Sequence, residues 1–456
     1  MVATCDTLTA KMAGPAIRAW QIASALSAEH EVQLVTTSKA DLDETRFAVR
    51  SVGDLELAEL EQWCDILAFQ GWLVHRRDFL LKSDKILVAD VYDPLHLEQL
   101  EQARDEGRRG RVIAVQEATA VLNEQLLRAD FLLCASTKQR DFWLGQLAAL
   151  GRVNPRTYDE DETMRSLLDI VPFGIPEEPP VRTRPAIKGV VPGIGPGDRV
   201  ILWGGGIYNW FDPLTLLRAV DQLRQSGHPE ARLFFLGLTH PNPDIPTMRM
   251  AVDARRLSDD LGLTGTHVFF NEGWVDYDDR QNYLLDADIG VSTHLDHIEA
   301  ALSFRTRILD YIWASLPTVA TRGDSLAEVI ERRGLGITVP PGVVDALATA
   351  HGTMLDDDGR RAECAANAVA LAPELVWSKA LAPLVEFCRA PRRAPDLDDG
   401  DLVAAMRHDL VAVEKRWRGL AYDARAGLGY LRSGGPRLVA AKATGRIRRL
   451  LTGGGD

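Results

Sequence analysis

Residues 303–321, SFRTRILDYIWASLPTVAT, gather Ser303, Arg305, Arg307 and Asp310 into two turns of a stretch whose apolar spacing predicts a helix over 303–315. A serine hydroxyl can cap such a helix start, and the amides that follow it suit an anion. Cations at this end oppose the helix dipole unless a negative group lies between them. Arg305 and Arg307 are therefore read, with Ser303 and Phe304, as a diphosphate cradle. Asp310 lies seven residues after Ser303, near the same side of the helix, where a carboxylate can accept from a ribose diol. A plain Arg307–Asp310 pair at i,i+3, worth a few tenths of a kcal/mol, is the other reading of those two residues.

Other strand-to-helix turns could complete such a site. ILWGGGIYNWFDP (201–213) sets three glycines after an apolar strand, and Gly205 and Gly206 can bring backbone N–H groups to a phosphate. The stretch is neither GxxxxGK[ST] nor GxGxxG, so triphosphatase and nicotinamide fingerprints are missing. In CDTLTAKMAGPAIRAW, Gly14 and Pro15 open a helix, with Arg18 in its first turn. VADVYDPLHLE (88–98) offers Asp90, Asp93 and His96, where Asp93 is equally a cap ahead of Pro94. NEGWVDYDD supplies Gly273, Trp274 and Val275 as a wall for a nucleobase, and LGLTHPNPD adds His240. Asp286-Ala-Asp288 and Asp159-Glu-Asp161 have DxD spacing, yet one closes a helix and the other is an acidic loop, so no metal site is assigned. GxSxG and HExxH are absent.

These turns need a frame. MVATCDTL, EVQLVTT, RFAVRSV, CDILAFQG, KILVADVY and FLLCAST read as short strands alternating with amphipathic helices such as 16–26. The alternation predicts a parallel sheet with helices on both faces. Pro and Gly crowd VPFGIPEEPPVRTRPAIKGVVPGIGPGDR (171–199) and mark a linker. A second set follows: VILWGGG, RLFFLGL, HVFFNEGW, DIGVST, PTVAT and GITV, with helices expected over 213–225, 247–261, 278–286 and 325–333. The fold class is α/β: two Rossmann-like doubly wound units facing a cleft, plus a helical C-terminal extension. The divisions are 1–172, a linker at 173–199, 200–390, and an extension at 391–456 that turns basic from Leu431.

The chain of 456 residues is 46% apolar and carries a net charge of −13, which argues against a nucleic-acid partner. Its five cysteines are scattered without a CxxC pair, as expected of reduced thiols in the cytoplasm; Cys5 and Cys134 fall in apolar runs that suit a core. No signal-peptide pattern opens the sequence, and MVATC reads as a strand entered partway, with leading residues expected before it.

The opening stretch also resembles the C-terminal signature of GT-B glycosyltransferases, in particular the large retaining family four. MAGPAIR is similar to that family's Gly-rich first loop, ILWGGGIYNWFDPLTLLRA to the start of its donor domain, and VPFGIP to its interdomain crossing. The resemblance spans roughly 1–390. It implies a cytoplasmic glycosyltransferase that moves a sugar from a nucleotide-diphosphate sugar to a glycan or lipid-linked acceptor, retaining, metal-independent and without a cofactor. It assigns His96 a place near the transferred sugar. Where the family has a pair of glutamates eight positions apart, this chain has Asp310 and Leu302, and Glu299 is the acid nearest the first position. The donor-domain loop WGGGIYNWFDP lacks the family's usual Arg and Lys, which leaves phosphate charge to Arg305, Arg307 and backbone amides. A nucleotide-sugar epimerase and a catalytically degenerate binding partner in glycan assembly are the other readings. Residues 431–456 are open to two: contact with the inner membrane surface through their basic residues and leucines, or a solvated tail.

Overall fold

The computed structural model describes residues 1–242, 245 and 247–397. The expected helical extension beyond residue 397, with its basic 431–456 segment, lies outside the described residues. Residues 1–394 form one compact unit.

Among the described residues the strands fall into two parallel sheets. The first has β1 (Val2–Thr4), β2 (Gln33–Thr36), β3 (Ala48–Ser51), β4 (Ile66–Gln70), β5 (Ile86–Asp90), β6 (Phe131–Cys134) and β7 (Leu168–Ile170), in the order β3-β2-β1-β4-β5-β6-β7. The second has β8 (Arg199–Trp203), β9 (Ala231–Phe235), β10 (Val268–Phe270), β11 (Ile289–Ser292), β12 (Thr318–Thr321) and β13 (Gly336–Val339), in the order β10-β9-β8-β11-β12-β13. Apolar runs such as ILVAD and FLLC, buried along most of their length, are what a sheet covered on both faces requires. The two Rossmann-like units expected from the alternation are both present. β7 was not named from the sequence, because a three-residue LDI ahead of a proline-rich run has too little pattern to register.

Strand order reverses at β1/β4 in one lobe and at β8/β11 in the other, and ligands of open α/β sheets bind at such switch points. The loops leaving β1 and β8, residues 5–13 and 204–212, both border one cleft between the lobes. The lobes are joined again behind that cleft. Ile175 pairs with Val376, and Trp377 N–H donates to Ile175 O at 3.0 Å. The last described helices, Trp377–Ala380 and Ala382–Arg389, then lie against the first-lobe helix Gly14–Leu26, and Phe387 stacks on Phe131 at 4.5 Å. A single apolar cluster therefore runs from Val2 and Phe131 through Phe173, Ile175 and Trp377 to Leu202 and Tyr311.

Candidate functional site

The cleft encloses about 660 Å³, room for a ligand of drug size or larger. Its second-lobe wall starts at the glycine turn after β8. Gly205 has φ +95°, where a side chain would be strained; a Cβ on Gly206 would approach the Tyr208 and Trp274 rings at 3.1–3.2 Å. Tyr311 fixes the turn from below: its hydroxyl accepts from Gly204 N–H at 2.8 Å and lies 3.0 Å from Leu202 O and 2.9 Å from Val291 O.

Helix Thr306–Trp313 brings the arginines to this turn. It begins later than expected. Ser303 ends the preceding helix Ile298–Leu302 and turns its hydroxyl to Glu299, so Arg305 takes the N-cap position and no side chain caps the helix. Ser303 still lines the cleft, as do Phe304, Arg305 and Arg307. Arg307 Nη2 donates to Gly206 O at 2.8 Å, and its guanidinium lies 4.1 Å from the Phe211 ring centre and 4.4 Å from that of Trp203. Burial pulls its pKa down to about 10, which leaves it charged at neutral pH. Arg305 Nη2 donates to Glu299 Oε2 at 2.8 Å. Arg307 Nη1 and Arg305 Nε are buried without a hydrogen-bond partner. Unpaired guanidinium nitrogens at a cleft wall are costly unless an anion completes them.

Asp310 also lines the cleft. Its partner is Arg280 rather than Arg307: Nε donates to Oδ1 at 3.1 Å, while Arg280 stacks on Tyr277 and Trp313. Arg280 was not picked out from the sequence, since DYDDRQNY gives an arginine no motif of its own. Trp274 and Val275 line the cleft, and Trp274 Nε1 reaches across to Met12 O at 3.1 Å. Gly273 is exposed and is not on the wall; its carbonyl accepts from Leu238 N–H at 3.4 Å instead.

The first-lobe wall holds Gly14, at the start of its helix, together with Asp6, Gln70, Trp72, Asp93 and Glu98. His96 is not part of it. On helix Leu95–Gln102 the cleft receives Leu95, Glu98, Gln99 and Gln102, one face at i, i+3, i+4, i+7. His96 points elsewhere, stacks on Phe142 at 5.6 Å, and has its pKa lowered by burial. Glu299 is likewise behind the wall, 1% exposed, orienting Arg305. His96 and Glu299, the two residues the resemblance places at the transferred sugar, are both absent from the cleft lining. In their place stands an unexpected pair, Asp93 and Glu98, whose carboxyls hydrogen-bond each other. Burial first, and then the charges of Glu299 and Asp90, push Asp93 up to about 6; burial and Asp93 push Glu98 well above the usual carboxylate range. The D-P-x-x-x-E spacing at the start of a helix was the available signal, with Glu98 five residues after Asp93.

The remaining motif residues have structural partners. Arg18 makes a two-pronged pair with Asp90 and donates to Val171 O at 2.7 Å. Asp286 accepts from the backbone of Ala186 and Ile187, and Asp288 pairs with Lys188 and Arg199. Cys134 is in the core, as expected, whereas Cys5 is half-buried at the cleft. Among the described residues no helix is long and apolar enough to cross a membrane.

Residues 198–357 match the family described as Glycosyl transferases group 1. No curated protein matches the chain. Among solved structures, WaaG, a glycosyltransferase involved in lipopolysaccharide biosynthesis, is similar at 17% identity and TM-score 0.60, over 86% of this chain and 100% of that one. Anabaena HepE in complex with UDP-glucose gives 14% identity and TM-score 0.59, over 85% and 99%. A UDP-forming trehalose-phosphate synthase from Burkholderia xenovorans in complex with glucose-6-phosphate gives 12% and 0.56, over 85% and 99%. The family match covers the second lobe, and the likeness to the solved structures is one of fold, GT-B.

Proposed function

We propose that the protein is a group 1 glycosyltransferase that takes a nucleotide-diphosphate sugar and moves its sugar to a glycan or lipid-linked acceptor, with retention and with neither metal nor cofactor. The observation that carries the reading is the pair of unpartnered buried nitrogens, Arg307 Nη1 and Arg305 Nε, beside the glycine turn. A diphosphate placed there meets two guanidinium groups. Asp310 would hold the ribose, and Trp274 with Val275 would back the base. As the glycosidic bond breaks, negative charge grows on the leaving diphosphate, and cations already fixed by Glu299 and Gly206 stabilise it without reorganising. That role is the one a divalent ion would otherwise take, and it supports the metal-independent reading. HepE in complex with UDP-glucose supports a uridine donor.

The test is calorimetric titration with UDP, GDP and ADP. One should bind, and Arg307→Ala should weaken it by about tenfold or more, roughly 1.4 kcal/mol. Unchanged affinity in that variant removes the site. Activity that survives a chelator, and a product anomer identical to the donor's by NMR, test the remaining two parts.

A further inference from the structure

The two walls of the cleft differ in their ionisable groups. The second lobe contributes Arg280, Arg305 and Arg307 against one acid, Asp310. The first lobe contributes Asp6, Asp93 and Glu98, and among its described lining residues there is no lysine or arginine. The inward arginine of that lobe, Arg18, is held behind the wall by Asp90, between the Tyr92 and Phe173 rings at 5.0 and 4.9 Å. Gln70 sharpens the pattern. Its Nε2 donates to Pro15 O at 2.6 Å and to Thr4 Oγ1 at 3.0 Å, and since a proline carbonyl can only accept, the amide orientation is fixed. Gln70 Oε1 is therefore left as a buried acceptor with no partner, in a residue only 4% exposed. Trp72 adds an aromatic ring to the same wall.

We propose that the first-lobe wall is an acceptor subsite for a sugar without anionic groups, one that offers O–H or N–H donors to Gln70, Asp93, Glu98 and Asp6, and that it rejects phosphorylated sugars. This rests on the donor reading above, since the second-lobe arginines must be engaged by the diphosphate. Hydroxyls donate to every polar group this wall presents, and the C–H face of a pyranose fits an aromatic ring. A phosphate dianion in the same place would meet Asp93 and the unpartnered Gln70 acceptor, with no lysine or arginine among that lobe's described lining residues to offset its charge. Arg305 does not relieve this, because Glu299 holds its Nη2 and, in the donor reading, the diphosphate takes its Nε. Close grouping is supported by Tyr208, whose pKa burial raises and whose hydroxyl feels Asp6, Glu98, Asp93 and Arg307 together.

The experiment starts from the protein saturated with whichever nucleoside diphosphate binds; if none does, the donor reading fails and this one is not reached. Glucose, mannose and glucosamine, each paired with its 6-phosphate, are then titrated by calorimetry or saturation-transfer NMR. At least one free sugar should bind, and its 6-phosphate at least about tenfold more weakly. The Asp93→Asn/Glu98→Gln double variant should shrink that ratio about threefold or more while nucleotide affinity stays unchanged, which also shows that the variant is folded. Asp6→Asn gives a second reading should the double variant not fold. A 6-phosphate that binds as tightly as its parent sugar overturns the proposal. So does failure of every free sugar to bind, or a ratio that the variants leave unmoved.

Discussion

Asp93 shows at the residue scale what an active cleft does to stability. Burial and neighbouring carboxylates push it from 3.8 up to about 6, in contact with Glu98. Between those two pH values the folded chain holds a proton that the unfolded chain has released. The contribution is present below about pH 4 and is lost as pH rises through 6. Asp93→Asn removes the charge without changing the shape. The variant should be more stable than the parent at pH 7.5, by on the order of 2 kcal/mol, and close to it at pH 4. Urea unfolding at both pH values measures this, and an equal difference at both would remove the assigned cause. Legibility at this scale was uneven for a physical reason. Arg305, Arg307 and Asp310 were readable because charge beside a helix start needs explaining from sequence alone. His96 and Glu98 sit on one helix and differ only in which face they occupy, and a single-sequence register error of one residue exchanges wall for core.

At the element scale, the glycine turn and helix Thr306–Trp313 act as one piece through Tyr311. A Cβ on Gly290 would fall 2.6 Å from the Tyr311 ring, so β11 gives up a side chain to let the ring lie flat beneath the turn. Tyr311→Phe keeps the ring and deletes the hydroxyl, which leaves Gly204 N–H buried without its acceptor. The expected cost is about 1–3 kcal/mol in stability. Because Arg307 is bonded to the same turn, nucleoside diphosphate affinity should fall as well, although Tyr311 does not line the cleft. Thermal unfolding and calorimetry on the one variant check both, and a loss of stability with full affinity would separate turn from site. The strands other than β7 and the helices at 213–225 and 325–333 were legible from period, and Asp212 and Asp324 cap those helices. The break at Ser303–Arg305 was not, since a buried glutamate four residues back redirected the serine that sequence alone makes a cap.

Across the whole molecule, two lobes that each have a sheet of their own unfold together only if something carries cooperativity between them. Direct bonds between the lobes include Trp274 Nε1 to Met12 O, Tyr277 N–H to Ala10 O at 2.8 Å, Gln139 Nε2 to Leu302 O at 2.8 Å, and the ion pairs Lys138–Glu328 and Arg249–Asp105, each at 2.6 Å. The larger link lies behind the cleft, where Gly174 passes so close to Trp377 that a Cβ would sit 2.7 Å from its Cα, and Phe387 covers Phe131. A chain ending at Ala394 retains that link and matches the compact unit, so it should unfold in one calorimetric transition. A chain ending at Leu375 loses Trp377 and both terminal helices. Its first lobe then exposes Phe131 and the helix Gly14–Leu26, and the lobes should part into two transitions, the first-lobe one lowered. Nucleoside diphosphate should raise the single transition of the longer chain, by about 2.7 kcal/mol at a hundredfold excess over Kd, and in the shorter chain only the second-lobe transition. The shift must follow the lobe that holds Arg305, Arg307 and Asp310; a shift confined to the first lobe would place the nucleotide on the wrong wall.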